Sequence, residues 1–131
     1  MAQTSLVLCD TNVLIDVLRG KADIKQILDQ IGFENICISI ITKAELLYGV
    51  RDKQEKAQLT RLLTGFTIYP LSEEISIVFN DLMEDYSLSH KIGIPDALIA
   101  ATAIANGMQL FTATVKDFKF IPEIEFIVLA G

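Results

Sequence analysis

Four carboxylates stand where an α/β protein places reactive groups. Asp10 closes the apolar run 5–9, and Glu45 lies just beyond the β-branched run 35–41. Asp96 opens an alanine-rich helical stretch, and Asp117 follows the run 109–112. Brought together, four such acids repel one another, and they persist mainly where cations neutralise them. Hard oxygen donors without obvious His or Cys partners select Mg²⁺ or Mn²⁺ over Zn²⁺. One or two such ions activate water and offset the charge that develops on a phosphodiester, so the chemistry implied is metal-assisted hydrolysis of a phosphate ester. Each acid also has a plain structural reading. Asp10 fits a helix N-cap, and Thr42 with Glu45 fits a T-x-x-E capping box. Asp96 fits the acidic preference of a first helical turn, and Thr114 with Asp117 makes a second box-like pair. Residue types and spacing alone leave both readings open.

The elements that must position these acids alternate. Short apolar runs at 5–9, 35–41, 66–71, 109–112 and 125–129 read as strands. Helical periodicity covers 12–19, 22–31, 42–50, 52–63, 73 to about 89, and 95 to about 106, with one further turn at 114–118. Gly20, Gly32 and Gly107 supply stops, and Pro95 suits a first helical position. Buried strands alternating with helices specify a mainly parallel sheet of about five strands with helices on both faces, a three-layer α/β/α fold. Ligand sites in such sheets lie at the carboxyl ends of the strands, which is where the four acids fall.

Length and composition bound the rest. The chain has 131 residues, 51% of them hydrophobic and 21% charged, which suits one domain over 1–131 and excludes disorder. No apolar stretch approaches the ~20 residues of a membrane span, and the first ten residues lack the basic start of a signal peptide. Cys9 and Cys37 both lie in strand-like runs, so they are expected as buried thiols of a cytoplasmic protein rather than a disulfide. The net charge of −6 argues against broad electrostatic attraction to nucleic acid but leaves room for a local basic rim.

The wording around the acids adds a resemblance. The segment Asp10-Thr11-Asn12-Val13-Leu14-Ile15 resembles the opening motif of the PIN-domain ribonucleases. Ser39-Ile40-Ile41-Thr42-Lys43-Ala44-Glu45-Leu46, with Tyr48-Gly49 after it, resembles their second motif. Gly93-Ile94-Pro95-Asp96-Ala97-Leu98-Ile99-Ala100-Ala101 resembles the third, and Thr112 through Asp117-Phe118 the fourth. Length and order are similar to those of VapC-type toxins of toxin–antitoxin pairs. The resemblance implies Asp10, Glu45 and Asp96 as core metal-binding carboxylates and Asp117 as the fourth acid, with Thr11 and Asn12 orienting ligands or water. It implies Mg²⁺ or Mn²⁺ as cofactor, an RNA substrate, a VapB-like antitoxin lying across a groove, and a homodimer. One departure is visible: the family often has Asn two positions after the motif's Thr112, and here that position is Thr114.

RNA needs some positive surface, and Arg19, Lys43, Lys91 and Lys116 lie near the acids in sequence. Leu46, Leu47, Val50, Leu59, Leu62 and Leu63 offer apolar surface for an antitoxin, although half of them suit the core equally well. His90, the single histidine, is expected in an exposed loop without a catalytic role, and Gly93 serves backbone geometry. Three other functions draw on parts of the same pattern. A phosphoacceptor signalling domain would need an acid pair before the first helix and a Lys at the end of the last strand, and 3–8 and 127–131 carry neither. A catalytically degenerate PIN-like module, binding RNA or protein without cutting, would have no reason to keep all four acids. A DNA nuclease would use the same ligands, because selectivity for RNA rests on groove shape and 2′-hydroxyl contacts.

Overall fold

In the computed structural model, which describes residues 6–127, short strands form a four-stranded parallel sheet whose two middle members, from the apolar runs 7–9 and 36–39, are buried on both faces. The strands are β1 (Val7–Cys9), β2 (Ile36–Ser39), β3 (Thr67–Tyr69) and β4 (Gln109–Phe111), in the order β3-β2-β1-β4. The helices are α1 (Thr11–Leu18), α2 (Ala22–Ile31), α3 (Ile40–Gly49), α4 (Lys53–Leu63), α5 (Glu73–Tyr86) and α6 (Ile94–Ala105). Short 3₁₀ turns at Phe33–Asn35 and Val115–Asp117 complete the described elements.

Strand alternation divides the core into two layers. Leu8, Cys37 and Leu110 are in register and turn one way, against Ile75 and Leu82 of α5 and the alanine face of α6. Val7, Cys9, Ile36, Ile38 and Phe111 turn the other way, against Val13 and Leu14 of α1, Leu28 of α2, Leu46 of α3 and Leu59 and Leu63 of α4. The two cysteines therefore lie on opposite faces of the sheet. Both are buried free thiols, and burial first, then the neighbouring Cys37 and Asp10, pushes Cys9 up to about 12. The small side chains of α6 let it lie close, with Ala97, Ile99, Ala100, Ala101, Thr102 and Ala103 all buried.

Three sequence expectations are corrected. The run 125–129 is not a full fifth strand among the described residues. It contributes one parallel bridge, Leu110 with Phe126, and residues 128–129 lie outside the described part of the chain. The helix expected from residue 42 begins at Ile40, because Ser39 caps it: the Ser39 hydroxyl accepts from the Ile41 amide at 3.0 Å. The helix expected to run to about residue 89 ends at Tyr86, and the chain turns through 87–90. Gly20 and Gly107 do end their helices, at φ of +81° and +63°, values that an L side chain adopts only with strain.

Parallel order fixes the site. Every strand delivers its carboxyl end to one edge, and α1, α3 and the Val115–Asp117 turn all begin there, directly after β1, β2 and β4. α6 feeds β4 from the opposite edge, so its own N-terminus, carrying Asp96, returns to the same place.

Candidate active site

Asp10 is the most enclosed of the four acids, with 4% of its surface exposed. It is the N-cap of α1, and its Oδ1 accepts from the Thr11 amide at 2.7 Å. Its Oδ2 accepts from the Thr112 hydroxyl at 2.8 Å, across the β1–β4 pair. Capping and a second role therefore coexist in one carboxylate. Burial pushes its pKa up, the two hydrogen bonds oppose that, and the charges of Glu45 and Asp117 add to the rise.

Glu45 lies exposed on α3, and its Oε1 is 2.6 Å from the Thr11 hydroxyl. Thr11 Oγ1 is also 3.1 Å from Thr42 Oγ1. The Thr11 hydroxyl is placed to donate to both, and its one proton is shared between Glu45 Oε1, the stronger acceptor, and Thr42 Oγ1. Thr42 is fully buried inside α3 and is not the head of a capping box with Glu45. Because the helix starts two residues earlier than expected, Thr42 turns inward and becomes a brace for Thr11. A threonine three residues before a helical acid was the available signal.

Asn12 and Thr114 join the other side. Asn12 Nδ2 donates to Thr114 Oγ1 at 3.1 Å, and the Ala113 amide donates to Asn12 Oδ1 at 3.2 Å. The Thr114 amide donates to Thr112 Oγ1 at 3.1 Å, and the two hydroxyls are 3.3 Å apart. Since Thr112 spends its proton on Asp10, Thr114 is the donor between them. A chain of bonds thus runs from α1 through the segment after β4 to Asp10. The box-like pair expected of Thr114 and Asp117 does not form. The Asp117 amide bonds the Thr114 carbonyl at 2.9 Å, and the Thr114 side chain caps nothing.

Asp96 and Asp117 complete the group. Asp96, in the first turn of α6, is half-buried, and no side-chain donor among the described residues reaches it. Burial pushes it up to about 6, with Asp10, Asp117 and Glu45 each contributing by like charge. The charges of Glu45 and Asp117 therefore reach both Asp10 and Asp96 through space. Among the described residues none of them enters an ion pair, and the only ion pairs are Lys21–Asp16 and Arg51–Glu55. Nor do any three His, Cys, Asp or Glu side chains there stand close enough to form a ready-made ligand cluster. The donor set is oxygen only, its charges are mutually repulsive, and no ion pair offsets them among the described residues. That chemistry fits a hard divalent cation, with Asp10, Glu45, Asp96 and Asp117 as the residues available to hold it.

Two hollows flank the acids. A groove of about 510 Å³ between α1, α3 and α4 is lined by Ile15, Leu18, Leu46, Val50 and Leu59, with Arg19 and Glu45 among its polar groups. Of the six residues expected as a docking surface, Leu46, Leu59 and Leu63 are core, while Leu47, Val50 and Leu62 are half-buried at its edge. A smaller pocket of about 220 Å³ on the other side holds Lys91 and Lys116 together with Asp96 and Asp117. Lys43 lines neither hollow. No helix among the described residues is long and apolar enough to cross a membrane.

Comparison with known proteins places this architecture. A ribonuclease VapC10 of Mycobacterium tuberculosis is 35% identical over 122 residues, covering 92% of this chain and 91% of its own. A VapBC2 complex of Rickettsia felis, bound to a DNA fragment from its promoter, superposes with a TM-score of 0.82 at 30% identity, covering 93% of this chain and 97% of that one. A toxin–antitoxin complex of Klebsiella pneumoniae gives 0.77 at 32% identity, covering 90% and 94%. The PIN domain family itself matches residues 7–121, the stretch from β1 to just past the last acid, and the chain belongs to that family.

Proposed function

We propose that the chain is a metal-dependent endoribonuclease, the toxin of a type II toxin–antitoxin pair, acting in the cytoplasm as one PIN-like domain with Mg²⁺ or Mn²⁺. The observation that carries the chemistry is the set of four acids from four separate junctions, whose charges raise the proton affinity of Asp10 and Asp96 and none of which enters an ion pair among the described residues. The relatives named ribonuclease VapC support RNA as substrate, and the VapBC complexes support a VapB-like antitoxin as partner. The half-apolar groove between α1, α3 and α4 is the surface offered to that partner, and a homodimer is the proposed assembly.

A bound divalent ion supplies Lewis acidity toward the phosphate and toward an attacking water. The chain's own residues do the rest. Asp10 is held in one rotamer by the Thr11 amide and the Thr112 hydroxyl, so its free lone pairs point one way. Thr11 fixes Glu45 and is itself fixed by Thr42. Among the described residues no side-chain donor reaches Asp96 or Asp117, which leaves them to bind cation or to take a proton from water. Lys91 and Lys116 lie beside them in reach of substrate phosphates.

The test is cleavage of a pool of labelled structured RNAs in Mg²⁺, in Mn²⁺ and in EDTA, beside Asp10→Asn and Asp96→Asn. Metal-dependent cutting by the parent, reduced by roughly a thousandfold or more in both variants, is the expected result. No cutting together with no divalent binding by calorimetry would refute the nuclease reading and leave a binding module.

A further inference from the structure

The pocket that holds Lys91, Lys116, Asp96 and Asp117 also contains an aromatic stack. His90 lies on Phe120 with ring centroids 4.0 Å apart and planes 12° apart. Tyr86 meets both edge-on, at 5.7 Å from His90 and 5.0 Å from Phe120, and so braces the pair. The Ser89 hydroxyl is 2.8 Å from His90 Nδ1 and fixes the imidazole's rotation. His90 is nevertheless exposed: one ring face is spent on Phe120, and the residue still meets solvent. The adjoining Lys91 has φ of +51°, the only positive φ at a non-glycine among the described residues. A glycine would hold that turn without strain, so the lysine is kept there against local backbone preference. Neither Lys91 nor Lys116 makes an ion pair among the described residues.

A rigid exposed ring with two free ammonium groups, contiguous with carboxylates, is the combination that grips single-stranded nucleic acid: bases stack on the ring and phosphates meet the charges. At about 220 Å³ the hollow is smaller than the pockets that enclose drug-sized ligands and suits one nucleotide unit. We infer that this pocket seats one unpaired nucleotide of the RNA next to the phosphate that is cut. Its base stacks on the imidazole face of His90, and its flanking phosphates meet Lys91 and Lys116. The inference rests on the ribonuclease reading and makes His90 a positioning residue with no proton-transfer role. Every base has a π-face, so this subsite holds the strand open beside the acids without choosing its sequence.

The test measures binding of a labelled single-stranded RNA by fluorescence anisotropy in a Glu45→Gln background, whose substitution lies outside this pocket. His90→Ala should weaken binding roughly tenfold to a hundredfold, and His90→Phe, which keeps a stacking ring, should restore most of it. An abasic nucleotide scanned along the RNA should cost affinity at one position in the parent and nothing there in His90→Ala. Lys91→Gly should lower affinity and flatten its salt dependence by about one charge, while the melting temperature holds or rises because the strained φ is relieved. Calorimetric Mn²⁺ binding should be the same in the Glu45→Gln parent and in the His90 variants. Unchanged RNA affinity in His90→Ala, with wild-type cutting intact, would overturn the subsite and leave the stack as a clasp between α5 and the segment after β4. Loss of RNA binding and cutting by every form, wild type included, would overturn the ribonuclease reading and the subsite together.

Discussion

The two halves of the acid cluster are built differently. Around Asp10 and Glu45 the polar groups are wired together: the Thr11 amide and hydroxyl, Thr42, Thr112, Thr114 and Asn12 form one continuous set of bonds across α1, α3 and the segment after β4. Around Asp96 and Asp117 no side-chain donor is in reach among the described residues, and position comes from backbone alone, the first turn of α6 and a single 3₁₀ turn. A carboxylate wired by hydrogen bonds is fixed before anything binds. A half-buried carboxylate left without donors beside three others is destabilised when ionised, and that repulsion is released when a cation arrives. The first half is thus pre-organised, and the second is the half on which cation binding and folding stability pull in opposite directions.

Substituting Asp96 tests that opposition most severely. Its folded pKa of about 6 lies above its ordinary value of 3.8, so the folded state holds the proton more tightly than the unfolded chain does. The resulting destabilisation is fully present above about pH 6, shrinks as pH falls, and is gone below about pH 4. Allowing for partial exposure it amounts to about 1–2 kcal/mol. Metal-free Asp96→Asn should therefore melt higher than the parent at pH 8, by roughly 3–10 °C, and the gap should close near pH 4. Adding Mn²⁺ at about a hundred times its dissociation constant should stabilise the parent by about 2.7 kcal/mol, leave the variant nearly unmoved, and reverse the order. Scanning calorimetry with and without EDTA reads both effects. A variant that melts lower than the parent in EDTA at pH 8 would mean that Asp96 is not strained and the two halves are alike.

Thr112→Val probes the wired half and should have a middling effect. The change keeps the shape and removes the hydroxyl that donates to Asp10 at 2.8 Å. Hydrogen bonds to a charged group contribute about 1.5–3 kcal/mol, so stability should fall by that order at neutral pH. Asp10 would rise further in pKa, since the Thr112 bond is the largest influence holding it down. Cleavage should drop about tenfold, the scale typical of groups that orient metal-binding carboxylates, and part of the loss should return as pH is raised. A loss in cleavage that does not depend on pH would separate orientation from proton affinity.

The two halves were also unequally legible in the sequence. The acids and the strand ends that carry them could be read because short apolar runs bounded by polar residues mark a parallel sheet, and parallel order brings their carboxyl ends together. Thr42 could not. Ile40 and Ile41 read as the end of a strand, yet they are the first two residues of α3. At about 100° per residue, a start two residues earlier turns Thr42 from a surface cap to the buried side of the helix. The strand expected at 125–129 is seen only in part: among the described residues Phe126 bridges Leu110 of β4, with backbone bonds from Leu110 to Glu125 and from Ile127 to Leu110. The stack of His90 on Phe120 joins positions thirty residues apart in two irregular segments, where no periodic signal exists. The φ of Lys91 is invisible for a different reason, because lysine carries no preference for the left-handed region that would announce it.

The smallest expected effect falls at Thr114. Its hydroxyl accepts from Asn12 and reaches toward Thr112, so it is the outermost link of the chain that ends at Asp10. Both neighbours have other ties. The Ala113 amide still holds Asn12 Oδ1, and the Thr114 amide, which any residue supplies, still holds Thr112 Oγ1. Thr114→Ala should therefore cost only about 0.5–1.5 kcal/mol in thermal unfolding and change cleavage by less than about threefold. Thr114→Asn should do no worse, because a side-chain carbonyl can take over acceptance from Asn12 and Asn tolerates irregular backbone. The comparison with Thr112→Val carries the meaning. If influence falls off with each bond away from the carboxylate, the wired half is a graded scaffold whose last position is free to vary. If Thr114→Ala instead lowers cleavage as far as Thr112→Val, the bonds from Asn12 to Asp10 act as a single unit, and the threonine at this position is as necessary as the one beside Asp10.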